Sequence, residues 1–333
     1  MKSSLSVLVS CTMLAALAAC GGGGGDSSSN PAGNKVTITS ANQDQVVRAS
    51  VNAGLSVSMA QGRAGGASPA GVADRAHALG AVLERAMTAA QGSRKGIASV
   101  AVHPSASASN TEPCSVGGTL TVTVDDHDGN NALSAGDVIS VSFAQCKDSA
   151  TSSMNGAISI TLTGTPTATQ FAANASFQNV VVVEDGVTST IAGDVTVAEN
   201  DTTLDTVTTL NVGSGGLTAS TASSGYNDSV SFASGFVIRT DEATSGASTS
   251  VSLSGTMSAQ SLGGSITIST PQALVQLSTD NYPSAGQVIV TGATGSAVRA
   301  TVLDNAQVRV ELDANGDGTY ESTATVAWTT LIV

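Results

Sequence analysis

The sequence predicts a mainly β protein: a large antiparallel β meander, built as a sandwich or an open half barrel, behind a short two-helix N-terminal segment. Three observations carry this. From about residue 115 apolar residues alternate with Ser, Thr and Gly at a period of two, the pattern of strands with one buried face. Gly, Asn or Asp interrupts the alternation every 10 to 15 residues, as turns between neighbouring strands do. Before residue 95 the apolar residues recur at helical spacing instead.

The chain opens on Lys2 and an apolar run of about 15 residues, short of the about 20 that a membrane span needs. The run ends in Leu17-Ala18-Ala19-Cys20-Gly21, which resembles the lipobox of bacterial lipoproteins. That resemblance implies a signal peptide over residues 1–19, removed on export. It also implies that Cys20 becomes the first residue and carries the acyl chains, for example palmitate, that are the membrane contact. In similar lipoproteins an aspartate after the lipid cysteine retains the protein in the inner membrane. Gly21 stands there in this chain, so the resemblance implies the outer membrane. Residues 20–34, the lipidated cysteine followed by Gly and Ser, read as a flexible tether with a reach of roughly 20 Å.

Residues 35–95 are the helical segment. Ser40-Ala41-Asn42-Gln43 reads as a capping box, opening a helix to about Asn52 with Val46, Val47 and Val51 on it. A second helix is expected from about Gly71 to Gln91, with Val72, Ala76, Leu79, Val82, Leu83, Ala86 and Met87 at helical spacing and Gly92 as its stop. Its polar face lacks a Lys/Arg cluster, so the stripe is read as core contact and not as a membrane-surface helix.

Residues 115–333 are the β domain. Leu120, Val122 and Val124 alternate with threonines; Ile139, Val141 and Phe143, then Ile158, Ile160 and Leu162, alternate with small polar residues. The pattern continues to Val326–Trp328. A weak duplication lies within residues 170–270: Ser176-Phe177 opens a stretch containing Ile191-Ala192-Gly193, and Ser231-Phe232 opens one containing Leu253-Ser254-Gly255.

Loss of residues 1–19 would remove Lys2 and no acid, leaving 11 basic against 25 acidic residues, a charge of −14. Such a surface repels nucleic acid and anionic headgroups and favours cations. Aromatics at 3% argue against a platform that stacks bases or sugars.

Two loops carry cation chemistry. Within Asp126-His127-Asp128-Gly129-Asn130-Asn131-Ala132-Leu133-Ser134-Ala135-Gly136-Asp137, oxygen side chains fall at positions 1, 3, 5, 9 and 12: Asp126, Asp128, Asn130, Ser134 and Asp137. The Ala132 carbonyl at position 7 is a further ligand. Calcium takes six to eight oxygens, and alternate residues of a tight loop can aim theirs inward. The segment resembles the calcium loop of EF-hand and dockerin modules, with Asn131 in place of a glycine and a shorter acid at Asp137. The second loop, Asp313-Ala314-Asn315-Gly316-Asp317-Gly318-Thr319-Tyr320-Glu321, resembles the DxNxDGxxD hairpin loops of calcium-binding β proteins such as integrin-type propeller blades. The ligands this implies are Asp313, Asn315, Asp317, Thr319 and Glu321. Position 12 is Ala324, so Glu321 must supply the missing acid. Structural Ca2+ is the expected cofactor.

Of four cysteines, Cys11 lies in the signal and Cys20 in the anchor, so Cys114 and Cys146 are left to pair in an oxidising compartment. Pairing Val124 with Val138 across the first acidic loop puts Val116 opposite Cys146, and a small bulge or register shift then lets the disulfide close the hairpin base. No Gly-x-Ser-x-Gly elbow, His-Glu-x-x-His helix or phosphate-binding glycine loop occurs, and His77, His103 and His127 stand apart in the sequence. No catalytic residue is therefore assigned. The expectation is an outer-membrane-anchored lipoprotein with a calcium-stabilised β domain, related to uncharacterised bacterial lipoproteins with DxDxDG-type loops, and with a non-catalytic structural, adhesion or binding role. A half-barrel carrier of a hydrophobic or lipid ligand is the alternative, and an enzyme the third. The membrane is the partner the anchor implies; a protein or lipid partner is not specified.

Overall fold

A computed structural model of the chain describes residues 33–59 and 108–331, except 131, 148, 168, 185, 224 and 225. The signal peptide, Cys20, most of the tether, the second helix expected at 71–91, Asn131, His77 and His103 lie outside the described residues.

The described residues form one antiparallel sheet of 15 strands. They are β1 (Ala108–Pro113), β2 (Gly117–Asp125), β3 (Val138–Lys147), β4 (Ser152–Leu162), β5 (Gln170–Glu184), β6 (Val187–Asp201), β7 (Asp205–Ser223), β8 (Tyr226–Phe232), β9 (Val237–Ala243), β10 (Ser248–Ala259), β11 (Gly264–Leu277), β12 (Ala285–Thr291), β13 (Ala297–Val302), β14 (Gln307–Asp313) and β15 (Ser322–Ala327). Each strand pairs with its neighbours in sequence. The one elaboration is that β8 and β9 lie end to end between β7 and β10, as a single strand interrupted at 233–236. The meander is thus as expected, though it begins at β1, earlier than the alternation reveals. The ladder is unbroken and β1 does not pair with β15, so the sheet is open.

A line of register shifts crosses the sheet from β2 to β12. Adjoining strands are offset at Gly117/Thr119 against β3, Phe143/Cys146 against β4, Asn155/Ala157 against β5, Phe177/Val180 against β6 and Gly193/Val195 against β7. The line continues at Val251/Ser254 between β10 and β11 and at Ser269/Gln272 between β11 and β12. Every bulge bends its strand, so a row of them bends the whole sheet along one seam. The bulges also preserve the buried face. In β5 the inward residues are Ala173, Ala175 and Phe177 on one side of the seam and Val180 and Val182 on the other, a change of parity absorbed at Gln178 and Asn179. β3 does the same between Phe143 and Cys146.

The seam requires glycine where neighbouring backbones meet. Gly193 has φ +127°, and a Cβ there would fall 2.8 Å from the Leu217 Cα on the bulge of β7. Gly156 has φ +114°, and its Cβ would lie 2.7 Å from the Asn179 carbonyl oxygen.

Among the described residues one hydrophobic cluster runs from Ile38 through the sheet to Leu331. The helix α1 (Gln43–Met59) buries Val46, Val47 and Val51 against β9, β10, β12 and β13. It starts three residues after the expected Ser40. Asn42 braces the turn before it: its Oδ1 accepts the Thr39 N–H at 2.8 Å, its Nδ2 donates to the Thr37 carbonyl, and the Gln43 N–H donates to the Thr39 carbonyl. The helix runs past Asn52, its expected end, to Met59. Ahead of it, Lys35 bridges Ser265 in parallel, and Val36 accepts from the Ala293 N–H. A closing turn, α2 (Trp328–Leu331), buries Trp328, whose indole N–H donates to the Pro283 and Asp304 carbonyls while its ring stacks on Tyr282.

Cys114 and Cys146 are bonded, with Cα atoms 5.4 Å apart. The register differs by one residue from the expected one, with Asp125 and not Val124 opposite Val138. The bulge at Gly117/Thr119 takes up the difference and brings Cys146 to the β1–β2 turn. Closing a loop of 32 residues is worth roughly 3.7 kcal/mol on the chain-entropy model.

Gly193→Ala should destabilise the fold by at least about 2 kcal/mol, since it meets both an unfavourable φ and a neighbouring backbone. Gly186→Ala, in a turn with φ +84° and open space around it, should cost about 1 kcal/mol. Urea denaturation of the two variants measures the difference; equal midpoints would deny the seam its role.

Candidate metal centres

In a meander the turns alternate between the two ends of the sheet. The loop 126–137 joins β2 to β3 at one end, and the loop 313–321 joins β14 to β15 at the other, the end that also holds the disulfide and the root of the N-terminal segment.

The first loop is built around two carboxylates. Asp126 Oδ1 accepts the N–H groups of Gly129 (2.8 Å) and Asn130 (3.2 Å). Asp137, fully buried, accepts the His127 N–H at 2.9 Å on one oxygen and the Ser134 N–H at 2.7 Å on the other. Its own carbonyl accepts the Leu162 N–H, and Gly136 N–H donates to the Leu162 carbonyl, so the loop is fastened to β4. Asp128 is exposed and accepts from the Asn130 N–H and side-chain amide and from the Ser134 hydroxyl. Those donors, the Asn130 backbone N–H foremost, hold its carboxyl below the usual range.

The second loop repeats the construction. Buried Asp313 accepts the Gly316 N–H at 2.7 Å and the Gly318 N–H at 2.8 Å. Asp317 accepts the Thr319 N–H at 2.7 Å, the chief reason its carboxyl sits below the ordinary value. Glu321 reaches back to the Ala314 N–H at 3.0 Å.

Asp126, Asp128 and Asp137 offer carboxylate oxygens all within 4.8 Å of one another, and so do Asp313, Asp317 and Glu321; each group can hold a metal ion. The donors are all oxygen, the set that suits a hard cation. Of the other expected ligands, Ser134 donates to Asp128 and Asp137, while the Asn130 and Asn315 side chains each span a turn of their own loop. Ala132 and Thr319 contribute backbone N–H groups to these turns. Among the described residues, no ion pair engages Asp128, Asp137, Asp313, Asp317 or Glu321.

No family model, curated protein or solved structure matches this chain. The chemistry of these loops therefore rests on their own residues.

Beside the second loop lies a network that the loop pattern does not announce. Arg299 on β13 grips Glu311 on β14 with two bonds of 2.9 Å, Arg309 adds a third at 3.3 Å, and the Tyr320 ring lies 4.0 Å from the Arg299 guanidinium carbon. Arg299 is the main reason the Glu311 carboxyl is held below its ordinary 4.5. The only sequence signal is alternation itself, which places Arg299, Arg309 and Glu311 on the face opposite Val298, Val308 and Val310.

A carboxyl whose folded pKa is depressed stabilises the protein above its unfolded pKa, and that contribution is lost as pH falls through the folded value. Glu311, Asp128 and Asp317 all have this sign. Without added metal, the melting temperature should stay level from about pH 8 to 5.5 and fall below about 4.5. Glu311→Gln should lower it at pH 7 and flatten the acid limb, as followed by circular dichroism. An acid limb of unchanged steepness in that variant would remove Glu311 from the account.

Proposed function

We propose that this protein is an outer-membrane-anchored lipoprotein whose β domain is stabilised by calcium bound in the loops 126–137 and 313–321, with a non-catalytic structural, adhesion or binding role in the envelope. The observation that carries the calcium reading is the pair of three-carboxylate clusters at opposite ends of the sheet. Calcium binds oxygen at about 2.3–2.6 Å, so ligands on opposite sides of one ion lie about 4.6–5.2 Å apart. Carboxylates within 4.8 Å of one another fit that sphere. One ion in each loop would neutralise acids that otherwise repel, and would fix the turns at both ends of the sheet. Such an ion is structural, because Asp126, Asp137 and Asp313 already accept the N–H groups that shape their loops.

The anchor reading rests on Leu17-Ala18-Ala19-Cys20-Gly21 and the glycine-rich stretch behind it. Among the described residues no helix is long and apolar enough to cross a membrane. The carrier reading needs a free inner face, and over β9, β10, β12 and β13 that face is taken by α1.

An ion that binds only the folded state stabilises it by about 2.7 kcal/mol at a hundredfold excess over its Kd. EDTA should lower the melting temperature and several millimolar calcium should raise it above the value in magnesium. Asp137→Asn and Asp313→Asn should each lose part of that response. A melting curve indifferent to EDTA and to saturating calcium would reduce both loops to Asp/Asn turns.

Cys20→Ser should move the protein from the detergent phase to the aqueous phase on Triton X-114 partition. Retention in the detergent phase would overturn the single-anchor reading.

A further inference from the structure

An open sheet exposes unpaired backbone N–H and C=O groups at both edges, and the two edges here are built differently. β1 carries Asn110, Glu112 and Pro113 within six residues, and a charge and a proline both obstruct the addition of another strand. β15 carries Ser322-Thr323-Ala324-Thr325-Val326-Ala327, with no charge and no proline, and all of it but Val326 is exposed. It pairs with β14 over six consecutive residues without a shift. Among the described residues it has no neighbour beyond β14. The Trp328 N–H bonds the Ala306 carbonyl. In the alternation of an antiparallel ladder, residues 322, 324 and 326 then face β14, and Thr323, Thr325 and Ala327 turn their backbone groups outward.

We propose that β15 is a strand-addition edge whose occupant is β15 of a second copy of this chain, paired antiparallel about a two-fold axis at Thr325. This register sets Thr325 opposite Thr325 and Thr323 opposite Ala327, so three residue pairs make about six N–H···O=C bonds. A Thr–Thr pair is favourable across strands, and no like charges are opposed. Glu321 precedes the strand and lies outside these three pairs, and Arg309 and Glu311 stand one strand back on β14. An isologous pairing closes on itself, and the obstructed β1 edge keeps the assembly from growing further. Six residues on each side bury well under the about 1,200 Å² of a stable interface, so the dimer is weak in dilute solution and depends on high local concentration. This inference is independent of the calcium reading; its cross-linking arm in membranes rests on the anchor reading, and its sedimentation arm does not.

The test uses the full chain with a single added cysteine, oxidised mildly in membranes and run on a non-reducing gel. A hydrogen-bonded antiparallel pair sets Cα atoms about 5.5 Å apart, within reach of a disulfide. Thr325→Cys should give a band of twice the monomer mass at least tenfold stronger than Thr111→Cys on β1, and Thr323→Cys mixed with Ala327→Cys should exceed either alone. No excess over Thr111→Cys, or a cross-link to a protein of different mass, overturns the proposal. Thr325→Pro removes an outward N–H and leaves the β14 ladder intact. In sedimentation equilibrium at about 100 µM it should be monomeric where the unsubstituted chain dimerises, with its melting temperature within a few degrees. A Thr325→Pro dimer as strong as the unsubstituted one also overturns the proposal.

Discussion

The close approach of backbones along the bulge seam is the constraint on which the rest of the structure depends. A flat sheet this wide would leave much of its apolar face to water, because among the described residues α1 touches only β9, β10, β12 and β13. Bulges at one level from β2 to β7 and from β10 to β12, with the β8–β9 interruption between them, turn that face toward a single contiguous core. The bend is possible only where side chains are absent, as at Gly156 and Gly193, or where another residue accepts a left-handed backbone, as Gln145 and Asn179 do with φ of 53° and 47°. The extra residue at each bulge then restores the inward parity that the bend would otherwise break.

The acidic loops show the same economy of local means. Each folds a run of acids, Asn and Gly into a turn by giving its carboxylates backbone N–H donors, so that burying Asp137 and Asp313 costs little in lost hydration. Side-chain oxygens and amide donors alternate along the loop, which is why the segment can be recognised in one dimension. The Arg299, Glu311 and Tyr320 cluster has no such local pattern. Its members come from two strands and a loop, and only the β13–β14 register brings them together.

Much of the fold was legible because one buried face imposes a period of two, and the Cys114–Cys146 pair because the lipobox reading left only these two cysteines to pair. What stayed hidden were departures from that period. β1 has polar residues on both faces, so its Asn110-Thr111-Glu112 reads as loop. The seam left one trace, the faint echo between Phe177 and Phe232 and between Gly193 and Gly255. Gly193 and Gly255 are both seam positions with strongly positive φ, and Phe177 comes just before the β5 bulge while Phe232 comes just before the interruption at 233–236. The spacing within the two copies differs, since the first has only the β5 bulge at Gln178 and Asn179 where the second has the interruption at 233–236 followed by all of β9.

The place where the chain enters the folded domain has a mechanical consequence. Tension on the residues before Gly33 does not reach the sheet at its edge, where strands would peel off one at a time. It arrives at Lys35 and Val36, held between the start of β11 and the 292–296 turn, and passes from there to α1 and the inner face of the later strands. The load is shared by hydrogen bonds on both sides of the inserted segment and by the burial of Ile38, Val46 and Val47. The domain is therefore gripped from within, and a pull that dislodges the inserted segment would uncover the core before it opened any hairpin.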